Sequence, residues 1–204
     1  MMEAGASDHT LAADAGRHPV GLIVTDDLRR SRLTVFFRLL LVIPHVIWLY
    51  LWGIAAGFAV LIAWFAALFT GRVPGGLHDF NAGFLRYSTR VTGYLFLLAN
   101  PWPPFSSSEP YPIDVRIDPP EAQSRLTVLF RLVLAIPALI LVYVFRAVNQ
   151  IIAFLAWFYC LALGNMNEGM RNISAWLLRY EVQTYAYLML LTGRDPSLAG
   201  APTA

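Results

Sequence analysis

The chain contains no lysine, only one cysteine and few charged residues of either sign. Its 15 basic residues are therefore all arginine, and 13 acidic residues leave a formal net charge of +2. Charged residues make up 14% of the 204 residues and hydrophobic residues 57%, whereas soluble domains have about 25% charged residues. The lone Cys160 excludes an internal disulfide. This composition predicts a protein whose main solvent is lipid rather than water.

A duplication organises the sequence. The segment from Ser31 to His45 recurs from Ser124 to Ala138, an offset of 93 residues, with eleven of fifteen positions identical. The same offset, without a gap, aligns Trp64-Phe65 with Trp157-Phe158, Gly71 with Gly164, and Leu85-Arg86-Tyr87 with Leu178-Arg179-Tyr180. A register kept over most of the unit indicates two tandem repeats. We divide the chain into a disordered tail (1–18), a first repeat (19–99), a Pro/Ser linker (100–110), a second repeat (111–192) and a flexible tail (193–204).

Each repeat opens with a short alternating stretch, Pro19 to Val24 and Pro112 to Ile117. Both stretches predict short strands, which either pair with each other or pack on neighbouring helices. Residues 1–18 are polar and small without an apolar core, so we expect a cytoplasmic tail rather than a signal peptide.

A long apolar run follows each strand. From Leu33 to Thr70 the only charged residue is Arg38, and as one helix this run would be ~57 Å long against a hydrocarbon core of ~30 Å. The length favours a hairpin of two crossings that turns near Gly53, and near residues 145–150 in the second repeat, where Arg146 would reach water. Two alternatives remain. The hairpin enters and leaves on one face as a wedge, or residues before Pro44 and Pro137 lie at the interface and those after them cross once.

The last element of each repeat is predicted to be an amphipathic helix, about Leu77 to Leu98 and Met170 to Leu191. Apolar residues recur there at steps of three and four, with arginine on the other faces. Such a helix lies either at the lipid head groups or against the protein in the cytosol. The predicted fold is a mostly α membrane protein of two repeats, each with a short strand, a Pro-bent hydrophobic hairpin and an amphipathic helix, and about four membrane segments in all.

Arginines flank each apolar run on both sides. Hairpins with both ends inside satisfy the positive-inside rule for every cluster, whereas single crossings would place similar numbers of arginines on opposite faces. We therefore expect a multi-pass protein of the bacterial plasma membrane with both termini in the cytoplasm.

Six residues that recur in pairs at the repeat offset are candidates for contact with lipid head groups or the membrane interface: Arg38, Arg131, Arg86, Tyr87, Arg179 and Tyr180. Arginine inside an apolar run can extend its guanidinium to phosphate, and the alternative is a polar pathway or a specific lipid site. Adjacent arginine and tyrosine suit a head-group belt, while a hydrogen bond to Asp26 or Asp118 is the alternative.

The string Tyr111-Pro-x-x-Val-x-Ile-Asp118 followed by the segment from Ser124 to Pro137 resembles a bacterial, mainly actinobacterial, membrane family, the domain of unknown function 4389. The first repeat carries the same signature from Arg32 to His45, and the likeness extends over roughly 19–192. The resemblance implies a plasma-membrane protein and brings no activity, substrate or catalytic residue. His18 and Thr25 replace Tyr111 and Asp118 in the first repeat, which weakens the likeness of that strand.

Motifs that carry chemistry are missing from the chain. It has no glycine-rich phosphate loop, no Cys or His cluster with metal-ligand spacing and no His-Glu-x-x-His helix. We therefore expect no enzymatic activity, cofactor, metal or nucleic-acid partner. The leading hypothesis is a scaffold or accessory protein that binds membrane lipids and other membrane proteins, alone or as an oligomer.

Two other classes of function remain open. A small transporter or channel would place its path between the two repeats. A lipid-modifying enzyme would use His78-Asp79 as a base and its orienting carboxylate, but Asp at a helix start is also a cap, and the second repeat has Arg171-Asn172 there.

Overall fold

The computed structural model describes residues 17–106 and 108–199, so most of the predicted N-terminal tail and the end of the C-terminal tail lie outside the described residues. The first repeat holds β1 (Val20–Val24), α1 (Arg32–Leu41), α2 (Ile43–Thr70) and α3 (Gly75–Leu95), and the second holds β2 (Ile113–Ile117), α4 (Arg125–Leu163) and α5 (Glu168–Leu188). The mostly helical fold and the strand at the head of each repeat are confirmed.

The two strands pair with each other as an antiparallel ribbon. Leu22 lies opposite Val115, and these two positions are themselves equivalent at the repeat offset. Side chains alternate between a buried face and a partly exposed one, as the alternating sequence predicts. The buried face includes Val20, Leu22 and Val115 and packs on the helices that end each repeat.

The predicted hairpins are wrong, because each apolar run is helical throughout its centre. Gly53 lies inside α2 and faces Phe84 of α3. A Cβ built at this glycine would be 3.6 Å from the Phe84 ring, an ordinary packing distance, so position 53 contacts a neighbouring helix and does not form a turn. Residues 145–150 lie inside α4, and Arg146 pairs with Glu181 of α5 at 3.0 Å. Two helical spans of 39 residues each, 32–70 and 125–163, are long and apolar enough to cross a membrane, where four segments had been predicted.

The two prolines act differently. Pro44 lies in the first turn of α2, where its missing amide breaks no helical hydrogen bond, and α1 ends just before it at Leu41. Pro137 lies inside the continuous α4. Both long spans end at equivalent glycines, Gly71 and Gly164, whose φ of 76° is the left-handed conformation that glycine adopts without strain.

The shorter helices α3 and α5 form the interior of the protein. Each packs on the long span of its own repeat, each packs on one strand of the ribbon, and the two pack on each other. Tyr87, Tyr94 and Tyr187 on these helices are buried. Of the two predicted locations for these helices, the structure supports packing against protein.

Candidate functional site

The repeats are related by a local two-fold axis. Trp64 donates its indole N–H to the carbonyl of Val128, and its equivalent Trp157 donates to the carbonyl of Val35, the equivalent of Val128. The backbone repeats the reciprocity, because the amide of Arg30 donates to the carbonyl of Gly164 and the amide of Gln123 donates to that of Gly71. Such reciprocal contacts define an isologous interface inside one chain.

Buried arginines hold the C-terminal end of α3. Arg38 of α1 is 2% exposed, and its Nη1 donates to the carbonyls of Tyr94 and Ala99. Arg30 donates through Nε and Nη2 to the carbonyl of Leu97, a residue in the left-handed conformation with φ of 62°. A cation beside the last carbonyls of a helix satisfies groups that have no partner within the helix and also opposes the helix dipole. We call these groups the first helix-end clamp.

A second helix-end clamp holds the end of α5. Nη1 of Arg131 donates to the carbonyls of Tyr187 and Thr192, the equivalents of the acceptors in the first clamp. Gln123 takes the place of Arg30 and donates Nε2 to the carbonyl of Leu190, which has φ of 60°. The oxygen of Gln123 also accepts a hydrogen bond from Nη2 of Arg131.

The two clamps differ in charge. The second has one cation with a neutral partner, whereas the first has two cations and one carboxylate, because Arg30 is paired with Asp26 at 2.5 Å. Among the described residues, Nε and Nη2 of Arg38 have no hydrogen-bond partner. An apolar cavity of about 300 Å³ adjoins Arg38 and is also lined by Phe154 and Trp157. Sequence reasoning missed Arg30 and Gln123, although the repeat alignment places them at one position and so could have drawn attention to them.

The other predicted interface residues also have protein partners. Arg86 donates Nε to the carbonyl of Val115 in the ribbon at 3.0 Å, and its equivalent Arg179 donates to the carbonyls of Leu198 and Ala199. The described part of the C-terminal segment is thus hydrogen-bonded to α5. The alternative partners Asp26 and Asp118 pair with Arg30 and Arg116 instead. Lipid contact by Arg38, Arg131, Arg86, Tyr87, Arg179 and Tyr180 stays a prediction.

The two tyrosines of the predicted pairs face aromatic partners. The hydroxyl of Tyr87 lies 2.7 Å from Nδ1 of His45, and burial raises the pKa of Tyr87 to about 12. Tyr180 packs edge-on to Phe145 with ring centres 5.2 Å apart, and burial raises its pKa as well. Both phenols therefore stay neutral near pH 7.

A cavity of about 200 Å³ lies on the seam between the repeats. It is lined by residues of α3 and α5, including Ser88 and its equivalent Glu181, and by Arg146 of α4. Glu181 is almost fully buried, and burial raises its pKa while Arg146 opposes that rise. Arg146 of this ion pair is the charged residue that the sequence analysis placed at an aqueous hairpin tip.

The outer surface of the long spans is apolar. Leu39, Phe58 and Tyr143 are 74%, 65% and 79% exposed, and large hydrophobic side chains are exposed all along both spans. Of the most apolar stretch of each span, only 17% in the first and 28% in the second is buried. Soluble monomers rarely expose apolar patches beyond a few hundred Å². Polar groups inside and apolar groups outside suit contact with hydrocarbon.

The described residues show few arrangements of side chains that an enzyme or metal site would need. They contain no group of three or more His, Cys, Asp or Glu side chains that could hold a metal ion. His78 is buried at the start of α3, but the Asp79 side chain is 84% exposed, and Nδ1 of His78 lies 3.6 Å from the carboxylate. The absence of enzymatic activity stays a prediction.

Comparison with protein families shows which family the chain belongs to. The domain of unknown function DUF4389 matches residues 32–107 and again residues 125–199. The chain belongs to the DUF4389 family. Each matched region covers most of one tandem repeat without its strand, so the predicted family and its two tandem copies are confirmed. In this DUF4389 protein both helix-end clamps draw on residues just outside the matched regions, Arg30 and Gln123. No curated protein and no solved structure matches the chain.

Proposed function

We propose that this DUF4389 protein is a non-enzymatic integral membrane protein of the bacterial plasma membrane that serves as a scaffold or accessory to lipids and membrane partners. The observation that carries the proposal is the exposure of its two most apolar spans, of which 17% and 28% is buried. The core helix of a soluble protein is equally apolar but is covered by its neighbours.

The distribution of charge supports the same proposal. Arg38 and Arg131 lie within apolar spans, yet both turn their guanidinium groups inward to backbone carbonyls, as intramembrane arginines do when they face protein. Both terminal segments are proposed to lie on the cytoplasmic side, since the arginines near Ser31, Gly71, Ser124 and Gly164 then share one face.

Extraction of isolated membranes with alkaline carbonate tests membrane integration. We expect the full chain to stay in the pellet and to enter solution only with detergent. Phe58→Asp on the exposed face should weaken retention, while Asp79→Asn at an exposed polar position is the matched control and should not. Release of the wild-type chain by carbonate alone would refute the proposal.

The scaffold role needs a test of its own. Crosslinking in native membranes, followed by identification of the crosslinked proteins, should yield the same few partners repeatedly, and deletion should change the abundance of their complexes. If no partner is crosslinked and deletion leaves membrane complexes unaltered, the scaffold role is excluded even where integration holds.

A second candidate function is transport along the seam between the repeats. The cavity with the Arg146–Glu181 pair favours it, because buried ionisable groups at a repeat interface are typical of substrate paths. Purified protein in liposomes would then carry an ion or solute flux that Glu181→Gln abolishes. Absence of flux across a panel of monovalent ions and small organic anions and cations would count against this candidate.

A further inference from the structure

The local two-fold axis passes through the centre of the ribbon. Leu22 and Val115 are equivalent in the repeats and lie opposite each other in the antiparallel pair. An operation that exchanges the repeats must exchange these two residues, so its axis runs between them. The ribbon therefore marks one end of the axis.

The long spans run perpendicular to this axis. Val35 contacts Trp157 and Trp64 contacts Val128, so the start of each span lies beside the end of the other. Exchange of the repeats then reverses the direction from Val35 to Trp64, a helical distance of up to about 43 Å. Only a direction perpendicular to a two-fold axis is reversed by it.

Along the axis the protein is layered. The ribbon lies at one end, α3 and α5 pack beneath it, and the long spans pack on α3 and α5. The outer face of the ribbon carries Asp114 and Arg116, whose side chains are 45% and 29% exposed. One end of the axis is thus charged and the other apolar.

This layering restricts how the protein can lie in a bilayer. If the long spans crossed the membrane, the axis would lie in the membrane plane and the ribbon would sit at the depth of the bilayer centre. Charged groups such as Asp114 and Arg116 are strongly disfavoured at that depth. If the axis instead lies along the membrane normal, the ribbon faces water and the long spans lie flat among the acyl chains.

Arginine placement favours the second orientation. Arg30 and Gly164 mark one end of the antiparallel pair of spans, and Gln123 and Gly71 mark the other. Arginines occur at both ends, at positions 29, 30 and 32 and at positions 72 and 125. Crossing spans would place these groups on opposite sides of the membrane, whereas flat spans place all of them on one side, as the positive-inside rule requires.

We infer that the protein embeds in one leaflet from the cytoplasmic side, with both long spans parallel to the membrane plane and neither crossing it. The partner of the apolar outer surface is then the acyl-chain region of a single leaflet. This inference rests on the proposed membrane integration and adds the orientation to it. The one-face wedge that the sequence left open is realised by two antiparallel spans instead of two hairpins.

Accessibility of single cysteines separates the two orientations. In a Cys160→Ala background, the variants Ser31→Cys and Asp79→Cys flank the first span, and the equivalent variants Ser124→Cys and Asn172→Cys flank the second. All four positions are exposed. A membrane-impermeant maleimide is applied to intact spheroplasts and to inverted vesicles, and labelling in detergent shows that each thiol is reactive.

We expect all four cysteines to react in inverted vesicles and none in spheroplasts. Crossing spans would instead label positions 31 and 172 from one side and positions 79 and 124 from the other, which would overturn the inference. A position that reacts in detergent but from neither side of the membrane also counts against it, since all four are inferred to face water.

A lipid-facing position provides the internal control. Phe58→Cys should react in detergent only, because the inference places it among acyl chains. Carbonate extraction of the same vesicles separates the two proposals. If the variants leave the membrane, integration itself fails, whereas variants that stay in the membrane and label from opposite sides refute only the orientation.

Discussion

The position where Gly93 of α3 faces the ribbon offers a sharp test of the packing. Gly93 of α3 lies beside Ile113 of β2, and a Cβ built at position 93 would be 2.3 Å from Cδ1 of Ile113. The equivalent pair at the repeat offset is Ala186 of α5 and Val20 of β1, both fully buried in the same core cluster. The α3–β2 pair thus combines the smaller helix residue with the larger strand residue, and the α5–β1 pair combines the larger helix residue with the smaller strand residue.

We expect Gly93→Ala alone to destabilise the protein. Overpacking costs about 1–3 kcal/mol, and the higher helix propensity of alanine returns about 0.8–1 kcal/mol, so the net loss is roughly 1 kcal/mol. Ile113→Val alone removes the clashing Cδ1 and should cost about 0.5–1.5 kcal/mol. The double variant recreates the Ala186–Val20 combination, and we expect its stability to be close to that of the wild type.

The assay is reversible unfolding in mild detergent micelles on addition of sodium dodecyl sulfate, followed by the fluorescence of the six tryptophans. A double-mutant cycle should give a favourable coupling of about 1–3 kcal/mol between positions 93 and 113. Additive effects of the two substitutions, or a Gly93→Ala variant more stable than the wild type, would refute the close approach of α3 to the ribbon.

Three further predictions use the same unfolding assay. Arg131→Met should destabilise the protein by about 1.5–3 kcal/mol more than Arg38→Met. The reason is that Arg131 donates a hydrogen bond to the side chain of Gln123, whereas Arg38 has no side-chain acceptor in the described part of the chain and lies beside the cation of Arg30. Equal losses of stability would contradict the difference between the clamps. Trp64→Phe and Trp157→Phe each remove one hydrogen bond between the repeats and should cost about 0.5–1.5 kcal/mol each; if neither variant is destabilised, these bonds do not hold the repeats together. Burial lowers the pKa of His18 below its usual 6.5, so the unfolded chain binds a proton more readily than the folded chain. Stability should therefore fall as the pH drops through 6.5, and His18→Gln should lose that part of the pH dependence. An unchanged slope of stability against pH in the variant would contradict this prediction.

Periodicity predicted the local elements well because their causes are local. The alternation in Val20–Val24 and the steps of three and four residues in α3 come from the geometry of strand and helix, which each segment carries in its own sequence. The offset of 93 residues also placed the equivalent positions correctly. It was the tertiary structure that converted this equivalence into reciprocal contacts around a two-fold axis.

The helical hairpin could not be judged from the sequence. Gly53 and Arg146 are typical of turns when they are considered alone, but Phe84 packs against the first and Glu181 neutralises the second. Both partners come from helices that follow far along the chain, so no local pattern reports them. The helices therefore continue where local signals favoured a turn.

The sequence by itself determined the duplication, the family, the strands and the apolar character of the long spans. It also identified Arg38 and Arg131 as unusual, because a charge inside an apolar run is visible from composition alone. Only the tertiary structure decided that these arginines hold helix ends, since their acceptors lie 56 and 61 residues away in the chain. Contacts over such separations depend on how helices pack, and packing is a property of the whole fold.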